Sequence, residues 1–265
     1  MNILFIGDVC GKPGRRTVEA ILPELKSTNN IDLVIANVEN IAHGRGATRK
    51  TVLDLLGCGV DFCTSGNHIF RNESFLDDLD DSGLPIIRPA NYPEDIIGRG
   101  YDVVDLGEKG LVLIINLQGS MSQHSSLISC PFRKMDQILD ETIDLNPSAI
   151  IVDYHAEFTS EKKALGYYLD GRVSALFGTH THVPTADQRI LPKKTAYLTD
   201  AGMVGPLNSV LWLKKELAIR YQKYPYPTRF EVETDGSMVF NSVLVQVGPD
   251  GKAERIERID KVINE

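Results

Sequence analysis

The sequence predicts an α/β protein, and three observations carry that expectation. Short, mostly apolar runs at 3–6, 33–36, 62–64, 149–152 and 173–177 have the length of strands buried on both faces. Helix-like stretches separate them, as in parallel βαβ units. The runs at 3–6, 33–36, 62–64, 149–152 and 173–177 also lead into carboxylate, amide or imidazole side chains, and ligands of open parallel sheets gather outside the carboxyl ends of the strands.

Taken in order, the run 3–6 ends in Gly7-Asp8, and Gly11-Lys12-Pro13-Gly14 reads as a turn into a helix from 15 to about 26, kinked at Pro23. The run 33–36 leads into Asn37-Val38-Glu39-Asn40. The glycine-rich loop His43-Gly44-Arg45-Gly46 precedes a helix from about 48 to 56, and the strand 62–64 runs into Gly66-Asn67-His68. With Pro85, Pro89 and Pro93, the stretch 85–93 suits neither helix nor central strand and is expected to run over the surface. Strands at 101–106 and 111–117 should form a hairpin around Gly107-Glu108-Lys109-Gly110. A polar loop with Gln118, Ser120, Ser122 and His124 follows, then a helix from about 132 to 145. The run 149–152 ends in Asp153-Tyr154-His155, and a helix at 160–169 leads to 173–177 and Gly178-Thr179-His180-Thr181-His182. The last third offers a strand at 196–198, a helix from about 209 to 221 and alternating strands over 230–247. With no internal repeat or linker, 1–265 reads as a single domain.

Composition bounds the function. A chain with 42% hydrophobic and 24% charged residues is ordinary for a soluble globular protein. A net charge of −8 without a basic tract argues against duplex nucleic acid or an anionic membrane as partner. No apolar run reaches membrane-spanning length. Cys10, Cys58, Cys63 and Cys130 form no Cys-x-x-Cys pair and read as reduced thiols of a cytosolic protein.

The strand-end groups are two carboxylates (Asp8, Glu39), two amides (Asn40, Asn67) and four imidazoles (His68, His155, His180, His182). On extended chain, residues at i and i+2 point the same way, so His180 and His182 should face one centre. Eight such donors exceed what one ion can use, whereas two ions sharing a bridging carboxylate accommodate them, as in two-metal hydrolases. Mixed imidazole, carboxylate and amide donors favour iron, manganese or zinc over calcium. Two divalent ions would leave the pocket cationic, which suits a phosphate ester. His68 adjoins Asn67 and points away from it, so its better role is a cation or general acid near the leaving oxygen, for which imidazole is suited.

These residues resemble a known family. Gly7-Asp8, Val38-Glu39-Asn40, Gly66-Asn67-His68, Asp153-Tyr154-His155-Ala156-Glu157 and Gly178 to His182 are similar to the motifs of the calcineurin-like metallophosphoesterases. Within them the chain looks like the bacterial YmdB-type branch of 2′,3′-cyclic nucleotide phosphodiesterases. The likeness extends over Arg88-Pro89-Ala90-Asn91, Asn116-Leu117-Gln118-Gly119, Thr159-Ser160-Glu161-Lys162, Ala164-Leu165-Gly166, the segment 183–187 with Pro184, and Thr199-Asp200-Ala201-Gly202-Met203. The resemblance implies a two-sheet β-sandwich flanked by helices (α/β/β/α) and a homo-oligomer. It also implies one ion held by Asp8, Glu39, Asn40 and His182, a second held by Glu39, Asn67, His155 and His180, and His68 as the catalytic histidine. Cys10 stands where most metallophosphoesterases carry histidine, which is the branch's own pattern, and a packed thiol is the expectation there. Arg71 and Ser120 also depart from the branch.

Other signals are set aside. Gly7 to Lys12 has P-loop-like glycines at the wrong spacing. His43 and His124 are expected to be solvated, with Arg45 near enough to meet a phosphate, and 221–226 is expected to be a surface turn rather than an RNA platform. The leading reading is a phosphodiesterase acting on a small nucleotide. A metal-binding regulator of the same fold, a phosphomonoesterase or nucleotidase, and a metal amidohydrolase are the alternatives. Amidohydrolases carry their His-x-His on an early strand, whereas here it follows a late one. Substrate-contacting residues are not legible.

Overall fold

The computed structural model describes residues 1–121 and 127–264, so the expectations for Ser122 and His124 lie outside the described residues. One sheet of seven strands runs β2 (Asp8–Val9), β11 (Met203–Pro206), β12 (Met238–Val247), β1 (Asn2–Ile6), β3 (Leu33–Asn37) and β4 (Phe62–Thr64), with β13 (Ala253–Ile263) also paired to β12. The other, of six strands, runs β5 (Tyr101–Asp105), β6 (Leu111–Gln118), β7 (Ala149–His155), β8 (Ala175–Thr179), β10 (Ala196–Leu198) and β9 (Arg189–Ile190). The helices are α1 (Gly11–Asn29), α2 (Arg49–Gly57), α3 (Leu76–Leu79), α4 (Pro131–Glu141), α5 (Thr159–Tyr168) and α6 (Lys215–Lys223).

The alternation along each strand builds the layers. Ile3 and Phe5 of β1 turn toward the second sheet and meet Ile114, Ile151 and Phe177, with the Phe5 and Phe177 rings 5.3 Å apart. Leu4 and Ile6 turn the other way, onto Val18 and Leu22 of α1 and Val52 and Leu55 of α2. Leu113, Val152 and Tyr154 face outward from the second sheet onto Met135 and Ile138 of α4 and Leu165 of α5. The result is the α/β/β/α arrangement. Strands covered on both faces lose the polar alternation of a half-exposed sheet, which is why they stand out as apolar runs. β1, β3 and β4 are parallel, as are β6, β7, β8 and β10, so each set ends along one edge.

Several expectations are corrected. Helix α1 begins at Gly11, not 15, because a proline in the first turn lacks only an N–H that needs no partner there; Pro23 stands inside the helix. Most of the stretch 85–93 is not on the surface: 86–92 is buried and only Pro93 is exposed. Ile86, Ile87, Arg88 and Asn91 are buried, Ile87 N–H reaches Cys63 O at 3.0 Å and Ala90 N–H reaches Asn116 O at 2.8 Å, so the segment passes from one sheet to the other with its backbone satisfied. Helix α4 stops at Glu141, and α6 starts at Lys215 because Val210 and Leu213 pair across a tight turn. Only Met238–Val247 of the stretch 230–247 is a named strand. β13 has no counterpart among the expected elements; it is mostly exposed and its charges hide the strand period, as suits a sheet edge. No helix among the described residues is long and apolar enough to cross a membrane.

Candidate metal centre

The carboxyl edges of the two sheets meet at one place. The first sheet brings Asp8 beyond β1, Glu39 and Asn40 beyond β3, and Asn67 and His68 beyond β4; the second brings His155 at the end of β7 and His180 and His182 beyond β8. His155 Nε2 lies 3.0 Å from Glu39 Oε2 and 3.0 Å from His180 Nδ1, so these three residues converge on one point. His182 Nε2 lies 3.5 Å from Asp8 Oδ1 and 3.2 Å from Asn40 Nδ2, which itself lies 3.1 Å from Glu39 Oε1. His68 Nδ1 is 3.0 Å from Asn40 Oδ1 and 3.2 Å from Glu39 Oε1, and its backbone N–H donates to Glu39 Oε2 at 3.2 Å. Seven of the eight sequence-derived residues thus form one contact network, with Glu39 in the middle. Asn67, partly exposed, makes no hydrogen bond with the described residues, although the loop that carries it is held against the centre. A Cβ on the preceding Gly66 would lie 2.3 Å from Glu39 Oε2 and from the His155 ring.

The His-x-His element departs from expectation. His180 and His182 have φ of 92° and 63°, in the left-handed region, so the chain there is not extended. The two imidazoles turn to different halves of the centre: His180 joins His155, and His182 joins Asp8 and Asn40. A left-handed conformation at a non-glycine residue costs on the order of 1–3 kcal/mol and persists only where the surroundings impose it.

Second contacts fix which nitrogen of each ring points inward. Thr179 Oγ1 donates to Asp153 Oδ1 at 2.7 Å, so it must accept from His155 Nδ1 at 2.9 Å. His182 Nδ1 donates to the Leu211 carbonyl at 3.1 Å, and His180 Nε2 donates to Glu157 Oε2 at 2.8 Å. These outer bonds leave His155 Nε2, His180 Nδ1 and His182 Nε2 as the nitrogens turned to the centre; burial would lower His155 and His182, but Glu39 beside the first and Asp8 beside the second outweigh it and hold both above the usual imidazole range. Nitrogens 3.0 Å apart beside two carboxylates need a cation among them, a proton or a metal ion. Asp8 Oδ1 is buried with no hydrogen-bond partner, an orphan that a cation would satisfy. The donor set fits a metal centre.

Burial alone would raise both carboxyls, but His182 beside Asp8 and His155 and His68 beside Glu39 outweigh it. Asp8 is held below, and Glu39 well below, the usual carboxylate range. Cys10 Sγ lies 3.8 Å from His182 Nδ1, the nitrogen turned away from the centre, and burial pushes its thiol up. Behind the centre, burial pushes the Asp153 carboxyl up to about 6 while Thr64, Thr179 and Asn37 donate to it. Sequence reasoning assigned no role to Thr179, Asp153, Glu157 or the Leu211 carbonyl. Asp153 and Glu157 sit two residues either side of His155, a spacing that could have marked them; a backbone carbonyl leaves no side-chain signal. His43 is exposed, as expected.

A family model described as YmdB-like protein matches residues 4–259. The 2′,3′-cyclic-nucleotide 2′-phosphodiesterase of Bacillus subtilis (strain 168) is 44% identical over 261 residues, covering 98% of this chain and 96% of that protein. Among solved structures, a hypothetical protein from Thermus thermophilus superposes with a TM-score of 0.91 at 36% identity, covering 99% of each chain. A novel phosphatase from Mycoplasma pneumoniae superposes with a TM-score of 0.93 at 35% identity, covering 100% of this chain and 94% of the other.

Proposed function

Because this chain belongs to the YmdB-like protein family, we propose that it is a metal-dependent phosphodiesterase that hydrolyses 2′,3′-cyclic nucleotides. The observation that carries the metal requirement is the inward set of three imidazole nitrogens gathered with Glu39 and the orphaned Asp8 Oδ1. We assign Asp8, Glu39, Asn40 and His182 to one ion and Glu39, Asn67, His155 and His180 to another, with Glu39 shared and iron, manganese or zinc as the metals. When bound, such a pair neutralises phosphoryl oxygens and lowers the pKa of attacking water.

The protein's own residues do the rest. An amide offers a metal only its oxygen, so Asn40 must turn its amide over, exchanging Oδ1 and Nδ2 within the frame now set by His182, Glu39 and His68. With the amide turned, Glu39 Oε1 holds His68 through Nδ1, while its Nε2 bonds to none of the described residues and is the end available to the substrate. His68 Nε2–H then donates its proton to the departing ribose oxygen, a step typically contributing 10²–10⁴ in rate. Glu157, Thr179 and the Leu211 carbonyl keep the three ligand rings in their required tautomers. We read residues 1–265 as one domain working in the cytosol, where four free thiols suit a reducing compartment. A homo-oligomer is part of the proposal: α6 buries only Ala218 while Ile219 and Tyr221 stay exposed.

The test is His68→Ala against a cyclic nucleotide and a nitrophenyl phosphodiester. Metal content should stay unchanged, the rate on the cyclic nucleotide should fall about 10²–10⁴-fold, and the loss should shrink for nitrophenolate, which departs without a proton. Metal loss in the variant, or equal rate losses on both substrates, would overturn the assignment. Faster hydrolysis of an amide or a monoester than of any diester would overturn the function.

A further inference from the structure

Lys162 and Asp200 are fully buried, and no catalytic step above uses them. Lys162 Nζ donates to Asp200 Oδ2 at 2.7 Å and to the Thr179 carbonyl at 2.7 Å. The same carboxylate oxygen accepts from Thr181 Oγ1 at 2.6 Å and Thr181 N–H at 3.2 Å, and Asp200 Oδ1 accepts from Gly202 N–H at 2.8 Å. The pair therefore grips the chain on both sides of His180: the carbonyl before it and the amide and hydroxyl after it. Gly178 admits this grip, since a Cβ there would stand 1.8 Å from Thr199 O and 2.9 Å from Lys162 Cδ.

We propose that Lys162 and Asp200, gripping the chain around Thr181, form a positioning pair that imposes the left-handed backbone at His180 and His182 and so divides the two imidazoles between two half-sites. Freed from that grip, the segment would relax toward extended chain, where residues at i and i+2 turn to the same side and offer one centre. A buried ion pair contributes little net stability, because desolvation offsets attraction. A geometric role explains its place beside the ligand loop better than a stabilising one. The inference rests on the two-ion reading above.

The experiment uses two variants of the whole chain. Lys162→Met/Asp200→Asn keeps the interior neutral, and Thr181→Ala removes one hydrogen bond without touching a buried charge. Each is loaded with manganese, desalted and analysed for ions per chain and for the electron paramagnetic signal of an exchange-coupled pair; unfolding in chelator checks the fold. Wild type should hold two coupled ions. The double variant should hold close to one, with the signal of an isolated ion, and Thr181→Ala should bind the second ion about 10-fold more weakly. Two coupled ions in a folded double variant, or undiminished affinity in Thr181→Ala, would overturn the pair's role and leave the enzyme reading standing. A wild type that never holds two ions would overturn the two-ion reading and this inference with it.

Discussion

Thr179→Val tests the hydrogen-bond relay behind the centre. Thr179 is fully buried, and its hydroxyl accepts from His155 Nδ1 at 2.9 Å while donating to Asp153 Oδ1 at 2.7 Å. Valine keeps the shape and removes both bonds, leaving a buried imidazole N–H and a buried carboxylate oxygen short of a partner. Each such orphan costs about 1–3 kcal/mol, so the metal-free protein should lose about 2–6 kcal/mol. At about 2 °C per kcal/mol for a chain of this length, Tm in chelator should fall by about 4–12 °C on calorimetry. His155 then loses the acceptor that fixes its tautomer, and metal affinity measured against a chelating dye should drop about 10–100-fold. Thr179→Ser keeps the hydroxyl and should retain nearly full affinity. If valine and serine variants melt together and bind metal equally, the relay does not orient His155.

Three further outcomes follow. Glu39→Gln should lower occupancy at both ions together, since Glu39 Oε1 and Oε2 face opposite halves of the centre; elemental analysis showing loss at one ion only would refute the sharing. Gly66→Ala should abolish metal binding while leaving far-ultraviolet circular dichroism intact, because its methyl would stand 2.3 Å from Glu39 Oε2. At Asp187, burial favours the neutral acid, but Thr199 and Thr185 donate to the carboxylate and hold it below its usual range. A depressed carboxyl stabilises the fold above its unfolded pKa and loses that contribution as pH falls. Asp187→Asn should therefore lower Tm by about 2 °C at neutral pH, roughly 1 kcal/mol, with the difference closing below about pH 4 in a melting series.

The identities of the donors were legible because a parallel sheet covered on both faces leaves polar residues only at strand ends, and Asp8, Glu39, Asn40, His68 and His155 all follow apolar runs. The partition of His180 and His182 was implied only by the family resemblance, since it depends on two left-handed φ values that no spacing rule reveals. The burial of 85–93 was hidden because its prolines forbid a regular ladder, yet the ladder of Cys63 and Asn116 supplies the bonds. Leu211 contributes through its carbonyl, so its side chain carries no signal of that role. β13 escaped notice because charges on an exposed edge look like a loop.

The way the two sheets divide the chain sets the order in which the protein can be assembled during synthesis. The histidine-bearing sheet draws all its strands from one continuous stretch, Tyr101 to Leu198, and can close as soon as that stretch has left the ribosome. The carboxylate-bearing sheet is split: β1, β3 and β4 come first, but β1 gains its second neighbour only when Gln246 is available to lie opposite Asn2. At about 5–20 residues per second, roughly 10–50 s separate the two strands, and through that interval Ile3 and Phe5 lack Val243 and Val245. The nascent chain carries an uncovered apolar strand edge for most of its synthesis, a state that invites chaperone binding. The half of the centre that supplies Asp8 and Glu39 is the last to be built.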